Sequence, residues 1–163
     1  MIITSCRNIN VDDRDENLAF AVNVKVMAIY SLYILNKAGT LIFQNDYVGS
    51  VEKLSHNAYI SLGSMFHGLH AIASNLSPTG SSSGIETIET EAFKLQCFQT
   101  HTGMKFYTIS DPNHPNLDEI LHNIYELYTD YVLKNPFYEL EMSIRCDLFD
   151  DKLNRLLKGT TAD

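Results

Sequence analysis

The sequence predicts an α+β fold in which a five-stranded, mostly antiparallel sheet lies between helices on both of its faces. Three observations predict this architecture. Short, glycine-containing connections of the hairpin type join several of the strands. The first strand is almost continuously apolar, which is typical of a strand that is covered on both faces. Three amphipathic helices also carry apolar stripes that must be buried, and the two faces of the sheet can bury them.

One domain is expected to hold these elements, because 163 residues fall within the size range of a single domain. We expect this domain to occupy residues 27–163. Residues 1–26 are expected to form an N-terminal extension, which is either flexible or a mis-called start. An acidic cluster precedes the apolar run from Leu18 to Leu35, and Lys25 interrupts that run. Neither a secretory signal nor direct membrane insertion is therefore expected.

The predicted strands fall into two groups along the chain. Ile29–Leu35 and Leu41–Asn45 are expected to form a hairpin, in whose turn Gly39 takes a positive φ angle at little cost. The second group follows the first helix and consists of three strands: Ile85–Glu91, Phe93–Thr100 and Met104–Ser110. The last two strands flank a short connection that contains Gly103, which again predicts a hairpin.

The first helix is predicted from apolar residues that recur every three or four positions. It begins after Ser55, a plausible N-cap, and ends before Pro78. We expect its buried stripe to consist of Leu62, Phe66, Leu69, Ala73 and Leu76.

Two further helices follow the last strand. The second has Asn116 as its N-cap and Glu119 at the capping-box position, and Pro136 ends it. Its expected stripe is Leu117, Ile120, Leu121, Ile124, either Leu127 or Tyr128, and Tyr131. The third helix runs from about Asp147 to Lys158, and Gly159 is expected to stop it. Its apolar residues are Phe149, Leu153, Leu156 and Leu157.

Composition excludes several classes of function. With 12 basic and 20 acidic residues the net charge is −8, so the field of the protein repels nucleic acids and anionic membranes. The three cysteines, Cys6, Cys97 and Cys146, are widely spaced and include no C-x-x-C pair. This pattern excludes a disulfide framework and a four-cysteine zinc site, and it favours buried free thiols in a reducing compartment.

The motifs that could carry catalysis are weak. Gly80–Gly84 matches the G-x-S-x-G nucleophile elbow, which requires a strand before the serine and a helix after it. Here the predicted order is the reverse, which favours a flexible Ser/Gly loop. His67 and His70 lie one helical turn apart without the spacing of a zinc protease motif, so we expect partly exposed histidines. We predict no catalytic residue, metal or cofactor.

The segment that links the second and third helices has an unusual composition. Residues 131–149 are rich in aromatic residues and also contain Met142 and Arg145, all of types that are enriched at protein interfaces. Two interpretations are open. The segment either contacts a partner or folds back over the core of its own domain.

Motifs along most of the chain carry a family resemblance. They are Met27–Gln44, Ser64–His67, Ala71–Ser74, Leu76–Pro78, Ser83–Glu86, Phe93–Leu95, Gln99–Thr100, Thr102–Phe106 and Leu133–Phe149. In this order they resemble the synbindin family, the fourth subunit type of the trafficking protein particle (TRAPP) complex. Of these motifs, Leu133–Phe149 resembles the family most specifically.

The resemblance implies a longin-like (SNARE-like) fold, with one helix on one face of the sheet and two on the other. It implies a non-catalytic core subunit of the TRAPP tethering complex, beside another longin-like subunit and flanked by subunits of a second, mostly helical fold type. In that family the complex promotes nucleotide exchange on the Rab GTPase of ER-to-Golgi transport. We therefore expect a hetero-oligomeric cytoplasmic protein that is peripheral at ER and cis-Golgi membranes.

The resemblance also directs attention to the segment between the last two helices, which we expect at or beside a contact with the GTPase or another subunit. The candidate contact residues are Asn135, Pro136, Tyr138, Glu141, Met142, Arg145 and Asp147. Three features depart from the family. Asp46–Ser55 is too short for the PDZ-like insertion of animal members, Ser143 replaces a usual proline, and His70 replaces a larger apolar residue. The alternative is a small longin-type subunit of a vesicle coat adaptor, a class that lacks this segment.

Overall fold

A computed structural model describes residues 28–48, 53–78, 80 and 82–160; the predicted N-terminal extension lies outside the described residues. Five strands form one sheet in the order β2-β1-β5-β4-β3, and every neighbouring pair is antiparallel. The strands are β1 (Ile29–Leu35), β2 (Leu41–Asp46), β3 (Thr87–Glu89), β4 (Lys94–Gln99) and β5 (Lys105–Ser110). β3 is shorter than predicted, while the other strands lie within one or two residues of their predicted bounds.

The helices cover both faces of the sheet. They are α1 (His56–Asn75), α2 (Leu117–Leu127) and α3 (Asp147–Thr160), and α2 continues directly into a π-helix (Tyr128–Leu133). α1 packs on one face of the sheet, and α2 and α3 pack on the other. The expected longin-like arrangement of one helix against two is therefore confirmed.

β1 explains how the sheet supports two cores. Because successive side chains point to opposite faces of a strand, Leu32 and Ile34 reach the core beneath α2 and α3. Tyr33 and Leu35 reach the second core, beneath α1. All four side chains are buried, so the prediction of a strand covered on both faces is confirmed.

The predicted buried stripe of the first helix is wrong. Of its five members Phe66 is buried, whereas Leu62, Leu69 and Leu76 are exposed. The residues that α1 buries instead are Tyr59, Gly63, Phe66 and His70. Aromatic packing is the physical reason, because the Phe66 ring lies 4.3 Å from the ring of Tyr107 on β5.

The ends of the other helices differ in detail from the prediction. Asn116 has a φ angle of 55°, and its side chain makes no capping hydrogen bond. This left-handed conformation, which asparagine tolerates, replaces the predicted cap. Tyr128, and not Leu127, extends the buried stripe of α2, and Val132 on the π-helix continues it. α3 also continues beyond the predicted stop at Gly159.

Gly39 offers a test of the packing between α1 and the β1–β2 turn. Its φ angle is +84°, and a Cβ atom would lie 2.5 Å from the imidazole ring of His67. Gly80 has a similar φ angle of +89° but open space around it. We predict that Gly39→Ala lowers the free energy of unfolding by about 2 to 4 kcal/mol, because strain and overlap add, and Gly80→Ala by about 1 kcal/mol. Urea unfolding measures the free energy of unfolding of both variants. Equal losses in the two would contradict the close contact between Gly39 and His67.

Candidate partner-binding surfaces

One strip along the solvent-facing side of α1 is apolar. Between His56 and Asn75 the helix contains no Asp, Glu, Lys or Arg. Five exposed apolar residues on one side of α1 and at its C-cap form the α1 stripe: Leu62, Met65, Leu69, Ile72 and Leu76. Ile60 is also exposed but lies outside the stripe. Met65 is 65% exposed and Leu69 is 53% exposed. A helix at a protein surface usually carries charged residues on its outer face, so this stripe is typical of a face that a partner covers.

Hydrogen bonds near both ends of α1 hold the stripe outward. At the first turn, the Tyr59 hydroxyl donates to the Asp46 carboxylate of β2 at 2.5 Å and accepts from the Leu54 N–H at 3.1 Å. The bond to the Asp46 carboxylate, together with burial, raises the pKa of Tyr59. These contacts fix the rotation of the helix at its N-terminal end.

His70 fixes the rotation of α1 towards its C-terminal end. Its Nδ1 accepts from the Ile85 N–H at 3.3 Å, so its Nε2 carries the proton and donates to Gln99 Oε1 at 2.5 Å. Gly84 lies so close that a Cβ atom there would overlap the imidazole ring. The prediction of a partly exposed histidine at this position is therefore wrong, because His70 is buried and hydrogen-bonded.

The second surface is the linker tract, residues 134–146, between the π-helix and α3. Its first half is built from two turns, which are closed by the Tyr138 N–H on the Asn135 carbonyl and the Met142 N–H on the Glu139 carbonyl. The Tyr138 hydroxyl donates to the Met142 carbonyl at 3.0 Å and ties the turns together. The tract is therefore an ordered structure with its own internal hydrogen bonds.

The second half of the linker tract lies along the outer edge of the sheet. The Ile144 N–H donates to the Ile42 carbonyl of β2 at 2.9 Å, and the Ile144 side chain is buried in the core. Cys146 is half-buried there, and its thiol lies 3.7 Å from the Tyr131 carbonyl. This half of the tract covers the core of its own domain, as one of the two interpretations predicts.

All seven candidate contact residues lie at the surface. Those that are exposed are Pro136, Glu141, Met142, Arg145 and Asp147, and those that are half-buried are Asn135 and Tyr138. Burial raises the pKa of the Tyr138 hydroxyl. Phe137 and Leu140 were not among the candidates, yet they are 92% and 73% exposed. The turns of the tract therefore present an apolar surface with the candidate residues around it.

Acidic groups cluster at the start of α3, next to the linker tract. Burial raises the pKa of Asp150, and the neighbouring carboxylates of Asp147 and Asp151 raise it further. Negative charge thus accumulates where the tract joins the helix, and it favours a basic surface on a partner.

The structure gives the weak catalytic motifs no supporting geometry. Ser82 lies in the loop between α1 and β3, with a helix before it and a strand after it, which is the reverse of a nucleophile elbow. Burial raises the pKa of Cys97 to about 12, so this thiol remains protonated and unreactive at neutral pH. Within the described ranges, no group of three or more His, Cys, Asp or Glu side chains could hold a metal ion.

Among the described residues, no helix combines the length and the apolar character that crossing a bilayer requires.

The α1 stripe is the feature that the sequence interpretation missed. The spacing of Leu62, Leu69 and Leu76 predicts a helix face correctly, but it does not tell whether the sheet or a partner covers that face. A usable signal was present, namely the absence of charged residues from a 20-residue helix. A surface helix without charged residues, with large apolar side chains on its exposed side, is poorly suited to water there.

Comparison with known proteins agrees with this architecture. A family model described as the Sybindin-like family matches residues 29–160. The trafficking protein particle complex subunit 4 of Dictyostelium discoideum is 80% identical over 132 residues, which cover 80% of this chain and 97% of that protein. The subunit 4 of Bos taurus is 55% identical over 65% of this chain, and the match spans 48% of that protein's length.

Two more distant likenesses complete the comparison. The trafficking protein particle complex subunit 1 of Dictyostelium discoideum is 35% identical, over 80% of this chain and 94% of that protein. Among solved structures, an MglB in a tetrameric arrangement is similar with a TM-score of 0.47 and 9% identity, covering 89% of this chain and 90% of that one. The latter likeness is too distant to bear on function. The family match and the high identity over most of both chains are sufficient: the chain belongs to the Sybindin-like family.

Proposed function

We propose that this protein is a core subunit of a TRAPP complex and that it pairs with another longin-like subunit through the α1 stripe. The observation that carries the proposal is the charge-free helix with its exposed Leu62, Met65, Leu69, Ile72 and Leu76. Contact with a second protein would remove this apolar surface from water, which is the main driving force of stable association.

The partner that fits best is a chain of the same fold. Subunit 1 from Dictyostelium is related to this chain over 94% of its own length, and it is named for the same complex as the subunit 4 to which this chain is 80% identical. Related chains can pack through equivalent patches about an approximate two-fold axis, as copies of one chain do in isologous dimers. The α1 stripe would then face the corresponding helix of its partner.

The complex as a whole is proposed to promote nucleotide exchange on the Rab GTPase of ER-to-Golgi transport. An exchange factor acts by binding the nucleotide-free GTPase more tightly than the nucleotide-bound form. This chain would supply binding surface and no covalent chemistry. The protein would be cytoplasmic and peripheral at ER and cis-Golgi membranes, where that exchange takes place.

The linker tract is proposed as the second contact, with the GTPase or with a subunit of the helical type. Its support is the exposure of the candidate residues, among them Glu141 and Arg145, in an ordered segment with exposed apolar side chains. The tract lies on the outer edge of β2 and packs on the core beneath α2 and α3. Two contacts at separate places would let one subunit join two neighbours.

Charge reversal tests this role of the linker tract. We predict that Glu141→Lys combined with Arg145→Glu reduces the nucleotide release rate of the reconstituted core complex, or its assembly, by about tenfold. Both residues are exposed, so the thermal stability of the isolated chain should not change.

The matched control reverses two exposed charges elsewhere, with Glu126→Lys on α2 and Lys152→Glu on α3. Fluorescent nucleotide release and size-exclusion chromatography measure exchange and assembly. If the tract variant behaves like this control in both assays, the tract covers the core and has no partner role.

A further inference from the structure

We propose that the linker tract contains a socket for one apolar side chain of another subunit of the complex, with a basic residue beside that side chain. The inference rests on the proposed function, because it assigns a particular contact to the tract. The socket is a cavity of about 230 Å³ beneath the tract. Three parts of the fold enclose it: the turns at one end of the sheet, the end of the π-helix, and the tract.

The size and lining of the socket suit an apolar side chain. Ile42, Met104, Leu133 and Leu140 form its apolar walls, and the buried Tyr128 closes it towards the core. A dry protein cavity of about 150 Å³ binds benzene, so this volume accepts a leucine or phenylalanine side chain. Met104 adds a flexible wall that adapts to the shape of the occupant.

The surroundings of the socket indicate a protein chain as its occupant. Leu133 and Leu140 on its rim are exposed, and the apolar surface continues outward to Met142 and to Phe137. A small molecule within the cavity would leave this outer surface in water, whereas a protein segment would cover both. Polar side chains also line the cavity, but Asn36 and Thr102 already hydrogen-bond within the chain, to the Thr40 N–H and to the Thr100 hydroxyl, so few polar groups are free to orient a small ligand.

The charges at the rim indicate the chemistry of the neighbouring residue. Glu139 and Glu141 are exposed on either side of Leu140, and within the described residues neither carboxylate has an ion pair or a hydrogen bond. Lys37, between β1 and β2, also lines the cavity. A segment that inserts an apolar side chain beside Leu140 brings its flanking residues to these two carboxylates, so Lys or Arg fits there.

The backbone at the rim is held in an unusual conformation. Glu141 has a φ angle of +74°, which costs a non-glycine residue about 1 kcal/mol or more. The hydrogen bond from the Tyr138 hydroxyl to the Met142 carbonyl closes the turn around Glu141 and maintains this conformation. Leu140 and Glu141 are thereby fixed at the mouth of the socket before any partner binds, which lowers the cost of binding.

Photocrosslinking tests the socket. The full chain, with p-benzoylphenylalanine in place of Leu140, is co-expressed with the other TRAPP subunits of its source, irradiated, and mapped by mass spectrometry. We expect a crosslink to an apolar residue of another subunit that has Lys or Arg within about two positions, since the carboxylates flank Leu140 directly. A crosslink within this chain, to the GTPase alone, or to a site without a basic neighbour would overturn the proposal.

A second probe separates failure of the socket from failure of the proposed function. The same photoreactive residue in place of Met65 reports on the α1 stripe. A crosslink from position 65 to a longin-like subunit, without one from position 140, overturns the socket and leaves the proposed function standing. Absence of both crosslinks overturns the two proposals together.

Two substitutions then measure the contribution of the socket. Leu140→Asp should weaken binding of the crosslinked subunit by about tenfold or more, because it places a charge where an apolar contact is expected. Leu140→Met conserves volume and apolar character, so it should retain most of the binding. Equal binding by the two variants would show that no side chain is buried beside Leu140.

Discussion

Replacing Met65 and Leu69 with aspartate is expected to abolish pairing with a longin-like subunit while leaving the chain folded. Both side chains lie in the exposed α1 stripe, so the isolated domain loses little when they change. Burial of each side chain in a complex contributes about 1.5 to 3 kcal/mol to the free energy of pairing. Each new carboxylate also has to lose its water, which weakens pairing further. Together the two changes should weaken pairing by about a thousandfold.

Isothermal titration calorimetry with a recombinant longin-like subunit measures this loss. The matched control is the double variant Ser64→Asp and Ala71→Asp, which adds the same two charges at exposed positions of α1 outside the stripe. Since successive helix residues are 100° apart, both positions lie about 100° or more around the helix from Met65 and Leu69. Unchanged pairing of the stripe variant, or equal losses in both variants, would contradict the assignment of the interface.

The second large effect is expected in the core beneath α2 and α3. Phe149 has no exposed surface, and its ring lies edge-on to Phe43 of β2 at 5.3 Å between centroids. Truncation of such a ring leaves a cavity and removes its packing, so Phe149→Ala should lower the free energy of unfolding by about 3 to 5 kcal/mol. The free energy of unfolding of native domains is about 5 to 15 kcal/mol, so the variant retains only part of its stability.

The neighbouring residue provides the control for this prediction. Leu148 is 62% exposed on the same helix turn, so Leu148→Ala should change stability by less than about 0.5 kcal/mol. Urea unfolding followed by circular dichroism measures both variants. Similar losses in the free energy of unfolding for the two variants would mean that α3 does not pack on the sheet through Phe149.

The sequence predicted most of the fold because the strands and helices are specified locally. The nearly continuous apolar run of β1, the glycine turn at Gly39 and the cap at Ser55 each depend on residues within a few positions of one another. The buried face of α1 is not specified in this way, because two apolar stripes run along the helix. Which of them meets the sheet depends on the fit of Tyr59 and Phe66 against Tyr33 and Tyr107, residues distant in sequence.

The candidate surfaces, too, were predictable where local sequence specifies them and unpredictable where distant residues meet. The composition of the linker tract identified it as unusual, and all of the predicted contact residues lie at the surface. The pairing of Ile144 with Ile42 and the cavity behind Leu140 could not be predicted, because both join segments separated by about a hundred residues. A pattern of neighbouring residues does not predict contacts between such distant segments.

Methionine oxidation tests the central claim, that the α1 stripe is a subunit interface, most directly. Met65 in the stripe and Met142 in the linker tract are both exposed, and Met104 is half-buried and serves as an internal reference. Hydroxyl-radical footprinting with peptide mass spectrometry compares the free chain with its complex with a longin-like subunit. We predict that oxidation of Met65 slows by about tenfold in the complex while Met142 is unaffected, because burial excludes the oxidant. Equal oxidation of Met65 in the free and paired chain would contradict the account.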